Sequence, residues 1–230
     1  QDSMAEAPQK VLDVFSGKRL HMQDSLCFYL LLSYESKCYY YLNRMEDAFR
    51  TNKEVIRYCT DHASFDRSRA LLAEAFNNQG VYWQELGERD SAIRVLKSAI
   101  NILQMTPNRN VLTSVYINLA DCHLQKGDYP QCGFYYRKAL LVADSLALGY
   151  RDHFAIYSGL AKLYLELENF PEANEYFVKA EQIGNSCTPY ERYFFSNTRG
   201  NYYYNTKEYE KALDWFRKAD RITEALPQPL

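Results

Sequence analysis

Residue types able to act as ligands, nucleophiles or proton carriers are few and scattered in this 230-residue chain. The four histidines are His21, His62, His123 and His153, and the six cysteines are Cys27, Cys38, Cys59, Cys122, Cys132 and Cys187. A zinc site needs thiolates and imidazoles spaced so that four donors converge on one ion. No CxxC occurs, and no histidine stands at zinc-finger spacing from a cysteine. Cys122 beside His123 invites a thiolate–imidazole reading, but neighbours on a helix point in different directions. No metal is therefore expected, and His123 reads as a packing residue. Phosphate-cradling GxxxxGKS/T, GxSxG, HExxH and the dinucleotide fingerprint are all missing. The carboxylates scatter without forming a pair whose environments would drive their pKa values apart. Neither catalysis nor a cofactor is expected.

Composition narrows the class further. Hydrophobic residues make up 47% and charged residues 24%, which suits a folded chain and excludes a disordered one. Only nine Gly and seven Pro are present, which favours helices over a turn-rich β fold. The 27 basic and 29 acidic residues give a net charge of -2 without a basic run, so direct nucleic-acid binding is not expected. The longest apolar run, Leu26 to Leu32, is too short to span a bilayer. Tyrosine is abundant at 21 residues, and its amphipathic ring suits helix interfaces and contact surfaces. Most cysteines fall inside helical patterns, where a free thiol behaves as a small hydrophobe, so reduced thiols are expected.

An internal repeat organises the chain. Small residues recur in pairs twelve apart: Ser36 and Ala48, Gly80 and Ala92, Ala120 and Cys132, Ala161 and Ala173, Gly200 and Ala212. Three residues after each first member stands a ring: Tyr39, Trp83, His123, Tyr164 and Tyr203. Four residues after the second member come Asn52, Leu96, Tyr136, Phe177 and Phe216, and seven after it Val55, Ala99, Ala139, Ala180 and Ala219. Two helices pressed close together need small residues at the contact and large ones on either side of it. Between the members the pattern breaks at Leu42-Asn43-Arg44, Gly87-Glu88, Gly127-Asp128, Glu168-Asn169 and Asn205-Thr206-Lys207. Gly and Asn tolerate the left-handed backbone that ends a helix, and Pro171 suits a first helical turn. Each copy reads as a helical hairpin.

The run from Tyr116 through His123, Gly127-Asp-Tyr129 and Tyr136 to Ala139 resembles a tetratricopeptide repeat, as do Gly200 to Tyr203, Tyr209 to Ala212 and Phe216 to Ala219. The resemblance covers roughly residues 25 to 225. It implies an all-α, right-handed solenoid of about five hairpins and about eleven helices. The hairpins fall near 22–62, 66–105, 109–147, 150–184 and 189–226 of a solenoid over 21–230. One departure stands out: the small residues recur at intervals of 44, 40, 41 and 39, not at about 34. That spacing resembles the long-repeat branch seen in kinesin light chains, peptide-sensing bacterial regulators and MalT-like regulators.

In such a stack the first helices line the concave side. The groove residues this implies are Lys37, Tyr40 and Tyr41, then Asn77 and Gln84, then Asp121 and Gln125, then Lys162, and finally Asn197, Asn201 and Tyr204. Ser33, Leu124 and Leu165 fall in the same register. Amides offer a donor and an acceptor together, which suits a peptide backbone, and Tyr offers rigid contact area. With only Lys37 and Lys162 as cations, the acidic-tail clamp of some family members is not expected. The expected partner is a protein or peptide.

The edges complete the reading. Pro8, then Val11, Leu12, Val14 and Phe15, then Gly17 suggest a capping helix over 1–20. The last helix ends in Pro227-Gln-Pro-Leu230 without a polar cap, which suggests that the natural chain continues into an output domain or membrane helix. The start at Gln1 is compatible with a cleaved signal peptide, which slightly prefers a periplasmic or exported location over a cytoplasmic one. The expected role is the partner-sensing part of a larger bacterial regulator, with a stand-alone adaptor as the alternative.

Overall fold

A computed structural model of the chain describes residues 22–106, 111–184 and 187–224. Ten α-helices and no strand occur among them: α1 Met22–Tyr41, α2 Met45–Asp61, α3 Asp66–Glu85, α4 Arg89–Gln104, α5 Leu112–Gln125, α6 Tyr129–Ser145, α7 Tyr150–Glu166, α8 Phe170–Ile183, α9 Pro189–Asn205 and α10 Tyr209–Glu224. The class is all-α, as the sequence leads one to expect. The capping helix expected over 1–20 lies outside the described residues.

Five hairpin turns share one hydrogen-bond scheme. The backbone N–H groups of Arg44, Glu88, Asp128, Asn169 and Glu208 donate to the carbonyls of Tyr39, Trp83, His123, Tyr164 and Tyr203 at 2.8–2.9 Å. One residue earlier, Asn43, Gly87, Gly127, Glu168 and Lys207 donate to Tyr40, Gln84, Leu124, Leu165 and Tyr204. Those five donors all have positive φ, between 54° and 78°. This paired pattern is the Schellman end, which satisfies the carbonyls that a helix leaves unpaired. In each turn the longer-range bond ends on the carbonyl of the repeat's ring position, so the ring and the turn are fixed together.

The small residues do what close packing requires. Ala48, Ala92, Ala120, Cys132, Ala161 and Ala173 are fully buried, and Ala212 nearly so. Ser36 Oγ donates to the Ala48 carbonyl at 2.8 Å across the first hairpin. The first copy also places Asn52 where later copies place Leu96, Tyr136 and Phe177. Asn52 is buried and its Nδ2 donates to the Ala75 carbonyl at 2.9 Å, so a hydrogen bond joins α2 to α3 where the other copies use apolar contact.

The chain forms two compact units, residues 1–122 and 123–230, with the boundary inside α5. In the first, Leu32, Val55, Cys59, Leu71, Leu72 and Ala75 form a core in which α2 packs against both α1 and α3. In the second, Phe154, Ala161, Leu165, Phe177, Phe195 and Tyr202 anchor a core contributed by α7, α8 and α9. Burying such side chains contributes about 1.5–3 kcal/mol each relative to leaving them exposed.

Candidate functional site

The candidate contact surface of each unit lies on its first helices, and their neighbours set what those helices present. In the first unit, Lys37 of α1 forms an ion pair with Glu74 of α3 and lies 5.2 Å from the centroid of the Tyr34 ring. Asn77 of α3 accepts a 2.9 Å hydrogen bond from Asn118 Nδ2 of α5. Asn78 Nδ2 donates to the buried Ser33 Oγ at 3.4 Å. Polar side chains therefore link α1 to α3 and α3 to α5. Lys37 and Asn77, expected as groove residues, are both engaged in this ladder. Tyr40 is half-buried and stacks on Tyr82 at 5.3 Å, while Tyr41 stands 76% exposed. The Tyr82 hydroxyl shares a 2.8 Å hydrogen bond with Ser36, and burial pushes its pKa up to about 12. Gln84 and Asp121 are half-buried.

The second unit presents a more continuous surface. A capping box opens α9: Thr188 Oγ1 accepts from Glu191 N–H at 3.3 Å, and the Glu191 carboxylate accepts from Thr188 N–H at 2.8 Å. Glu191 also accepts from Arg151 Nε of α7 at 2.9 Å. Burial opposes ionisation of Glu191, but these bonds outweigh it and hold its carboxyl below the usual range. So fixed, α9 carries Tyr190, Phe194, Asn197, Asn201 and Tyr204 at spacings of four, three, four and three, which is one stripe of a helix. Tyr190, Phe194 and Tyr204 are 62%, 49% and 59% exposed. Asn197 is half-buried and its Nδ2 donates to the Tyr193 carbonyl at 3.3 Å, while Asn201 is exposed. Gln125 and Lys162 are exposed on α5 and α7.

Three positions in the expected groove register turn inward. Ser33, Leu124 and Leu165 are 1%, 7% and 6% exposed and belong to the interior. At α1 the outward position is one residue later, at Tyr34. Tyr34, Glu74, Tyr190 and Phe194 were not singled out by sequence reasoning. A count of aromatic residues at three- and four-residue spacing along α9 would have found the last two.

His123 packs within the fold. His123 is buried, donates from Nδ1 to Asp128 Oδ2 at 3.0 Å and stacks on Tyr135 at 5.4 Å. No group of three or more His, Cys, Asp or Glu side chains positioned for a metal occurs among the described residues. None of the six cysteines is in a disulfide, and no helix among the described residues is long and apolar enough to cross a membrane.

Family models for the tetratricopeptide repeat match residues 111–186 and 196–225. No curated protein matches the sequence. Solved structures share the fold at low identity. BtubC (BKLC) from P. vanneervenii matches with a TM-score of 0.75 and 17% identity, over 100% of this chain and 94% of that one. The apo form of RapI matches with a TM-score of 0.71 and 15% identity, over 96% and 77%. The STAND protein PH0952 from Pyrococcus horikoshii, described as carrying a tetratricopeptide repeat sensor, matches with a TM-score of 0.69 and 20% identity. That match takes in 100% of this chain and 34% of that protein, so this chain spans about a third of its length.

Proposed function

We propose, for a chain that belongs to the tetratricopeptide-repeat family, that it is a non-catalytic scaffold holding a protein or peptide segment against its first helices. The observation that carries this reading is the α9 stripe, where three exposed rings, two on one side and one on the other, flank two amides. Rings that stay in water without covering a core suit contact with a partner, because they supply area at low entropic cost. Amides between them suit the donors and acceptors of a bound backbone. On α1 the exposed Tyr34 and Tyr41 flank Lys37 in the same way. Lys37, Tyr40, Tyr41, Asn77, Gln84, Asp121, Gln125, Lys162, Asn197, Asn201 and Tyr204 form the proposed contact set, now extended by Tyr34, Tyr190 and Phe194. The reading includes a role as the partner-sensing part of a larger bacterial regulator, supported by the likeness to a protein with a repeat sensor.

The test begins by panning a displayed random-peptide library against the chain and synthesising an enriched peptide. Its affinity is then measured for wild type, for Asn197→Ala/Asn201→Ala and for Phe194→Ala/Tyr204→Ala. These side chains are exposed or half-buried, so helicity should persist. A loss of about ten-fold or more is expected for the ring variant. Equal affinity for all three proteins would remove the stripe from the binding surface.

A further inference from the structure

A cleft of about 330 Å³ lies on the other side of α9. At 100° per residue, Arg192, Phe195 and Ser196 point away from the Tyr190–Tyr204 stripe. They line the cleft together with Phe154 of α7, Glu181 at the end of α8, and Trp215, Lys218 and Arg221 of α10. A second groove shares Trp215, Lys218 and Arg221. The volume falls within the range of built ligand pockets and admits one or two side chains.

Its charge is at odds with the rest of the molecule. The whole chain carries -2, yet three cations and one carboxylate line this cleft. The carboxylate, Glu181, is already matched: Arg199 Nε lies 3.0 Å from its Oε1, and the Arg199 side chain is only 4% exposed. Lys218 Nζ is held 3.7 Å from the Trp215 ring centroid, an apolar and π-rich support that leaves its charge uncancelled. Neither Arg192 nor Arg221 has a carboxylate within ion-pair reach among the described residues. Three cations with no carboxylate in ion-pair reach among the described residues, set beside an aromatic wall, call for a ligand with negative charge and an apolar body. A bare anion would satisfy the arginines and leave the half-buried Trp215 ring, which edges the buried Phe154 and Phe195, uncovered.

We propose that this cleft is a second binding site, separate from the first-helix surface, for an acidic peptide segment that sets a large apolar side chain beside its carboxylates. The carboxylates pair with Arg192 and Arg221, and the apolar side chain lies against the half-buried Trp215 ring at the edge of the Phe154–Phe195 pair. The carboxylate source is either acidic side chains or a chain terminus, and both present the same group to the guanidiniums.

The test uses fluorescence anisotropy with a labelled peptide, Gly-Glu-Asp-Glu-Phe, at low ionic strength, where exposed charge pairs are least screened. Saturable binding to wild type is expected, with affinity about ten-fold or more weaker in Arg192→Glu/Arg221→Glu. Both arginines are exposed, so the fold is kept, and far-UV circular dichroism verifies it. Replacing the peptide's acids by amides, or its Phe by Ala, should abolish binding. Amidating its C-terminus tells the terminal carboxylate from the side chains. Asn197→Ala/Asn201→Ala should bind this peptide as wild type does, which separates this site from the α9 stripe. Absence of saturable binding, equal affinity in the charge-reversed variant, or displacement by inorganic phosphate as readily as by unlabelled peptide would each overturn the assignment.

Discussion

A β-carbon placed on Gly200 of α9 would stand 2.5 Å from Cε1 of Phe216 on α10. The glycine is there because the partner ring occupies the space where any side chain would begin. Gly80 stands in the same relation to Leu96, with 2.6 Å to Cδ2. The two contacts differ in what can yield, since Leu96 is fully buried and Phe216 only half-buried. Overpacking a closed site costs about 1–3 kcal/mol, while replacing a helical glycine by alanine returns about 1 kcal/mol. Gly80→Ala should therefore lower the urea midpoint, and Gly200→Ala should leave it nearly unchanged because the Phe216 ring can turn outward. Gly200→Leu exceeds that freedom and should destabilise by about 2 kcal/mol. An unchanged midpoint for Gly80→Ala would mean that α3 and α4 are not held this close.

These contacts were legible in the sequence because they recur. Five copies of a small residue with a ring three places on leave little choice but a tight hairpin, and the glycines at 87 and 127 mark two of its turns directly. Glu168 and Lys207 adopt the same left-handed conformation without being glycine. Their positions followed from the repeat, not from their own preference. The surface was less legible for the same reason. Contact residues need not repeat, and a one-residue error in helix phase moves an assignment by 100°, which is how Ser33 stood in for Tyr34. The use of Lys37 and Asn77 between helices was hidden because their partners, Glu74 and Asn118, lie 37 and 41 residues away in the chain.

Arg199 is a buried cation, 3% exposed, set against the rings of Phe177, Tyr202 and Tyr203 at 4.7–4.9 Å. Its Nη1 donates to Asn174 Oδ1 at 2.9 Å, and Glu181 supplies the counter-charge. Removing one member of a buried pair costs about 3–5 kcal/mol, but Glu181 is 35% exposed and water can recover part of its solvation. Arg199→Ala should thus cost about 2–3 kcal/mol in chemical denaturation. Arg199→Lys should recover less than half of that, since an ammonium cannot stack on three rings and reach Asn174 together. Full recovery by lysine would show that charge alone matters here.

The cysteines should divide sharply in reactivity. Burial pushes the Cys59 and Cys122 thiols up to about 12, with Asp121 adding to the effect on Cys122 and Arg89 opposing it. A thiol with such a pKa is thiolate to only ~10⁻⁴ at pH 8, and the thiolate is the reactive form. Cys27 is exposed. Iodoacetamide at pH 8 followed by peptide mass spectrometry should find Cys27 modified first, with Cys59 and Cys122 protected until denaturant is added. Rapid labelling of Cys59 in native protein would indicate that α2 and α3 open readily.

His153 joins the end of α6 to the start of α7, and its ring geometry fixes its proton count. Nε2 lies 3.0 Å from Asp144 Oδ1, and Nδ1 lies 3.2 Å from the Gly149 carbonyl. Both partners are acceptors only, so both ring nitrogens must carry protons for the two bonds to exist together. Burial disfavours that charged form, but the bonds to Asp144 and Gly149 and the nearby Asp144 and Asp152 charges outweigh it and raise the pKa. A raised folded-state pKa stabilises the protonated fold. The contribution is complete below the ordinary value of about 6.5 and fades as pH climbs through the raised value. Asp144 is 63% exposed, so solvent screening holds the effect below about 1 kcal/mol. An NMR titration should place His153 above 6.5, and wild type should lose stability relative to His153→Gln as pH rises from 6 to 8. A titration at or below 6.5 would show that the neutral ring makes only one of the two bonds, and the pH-dependent difference would then vanish.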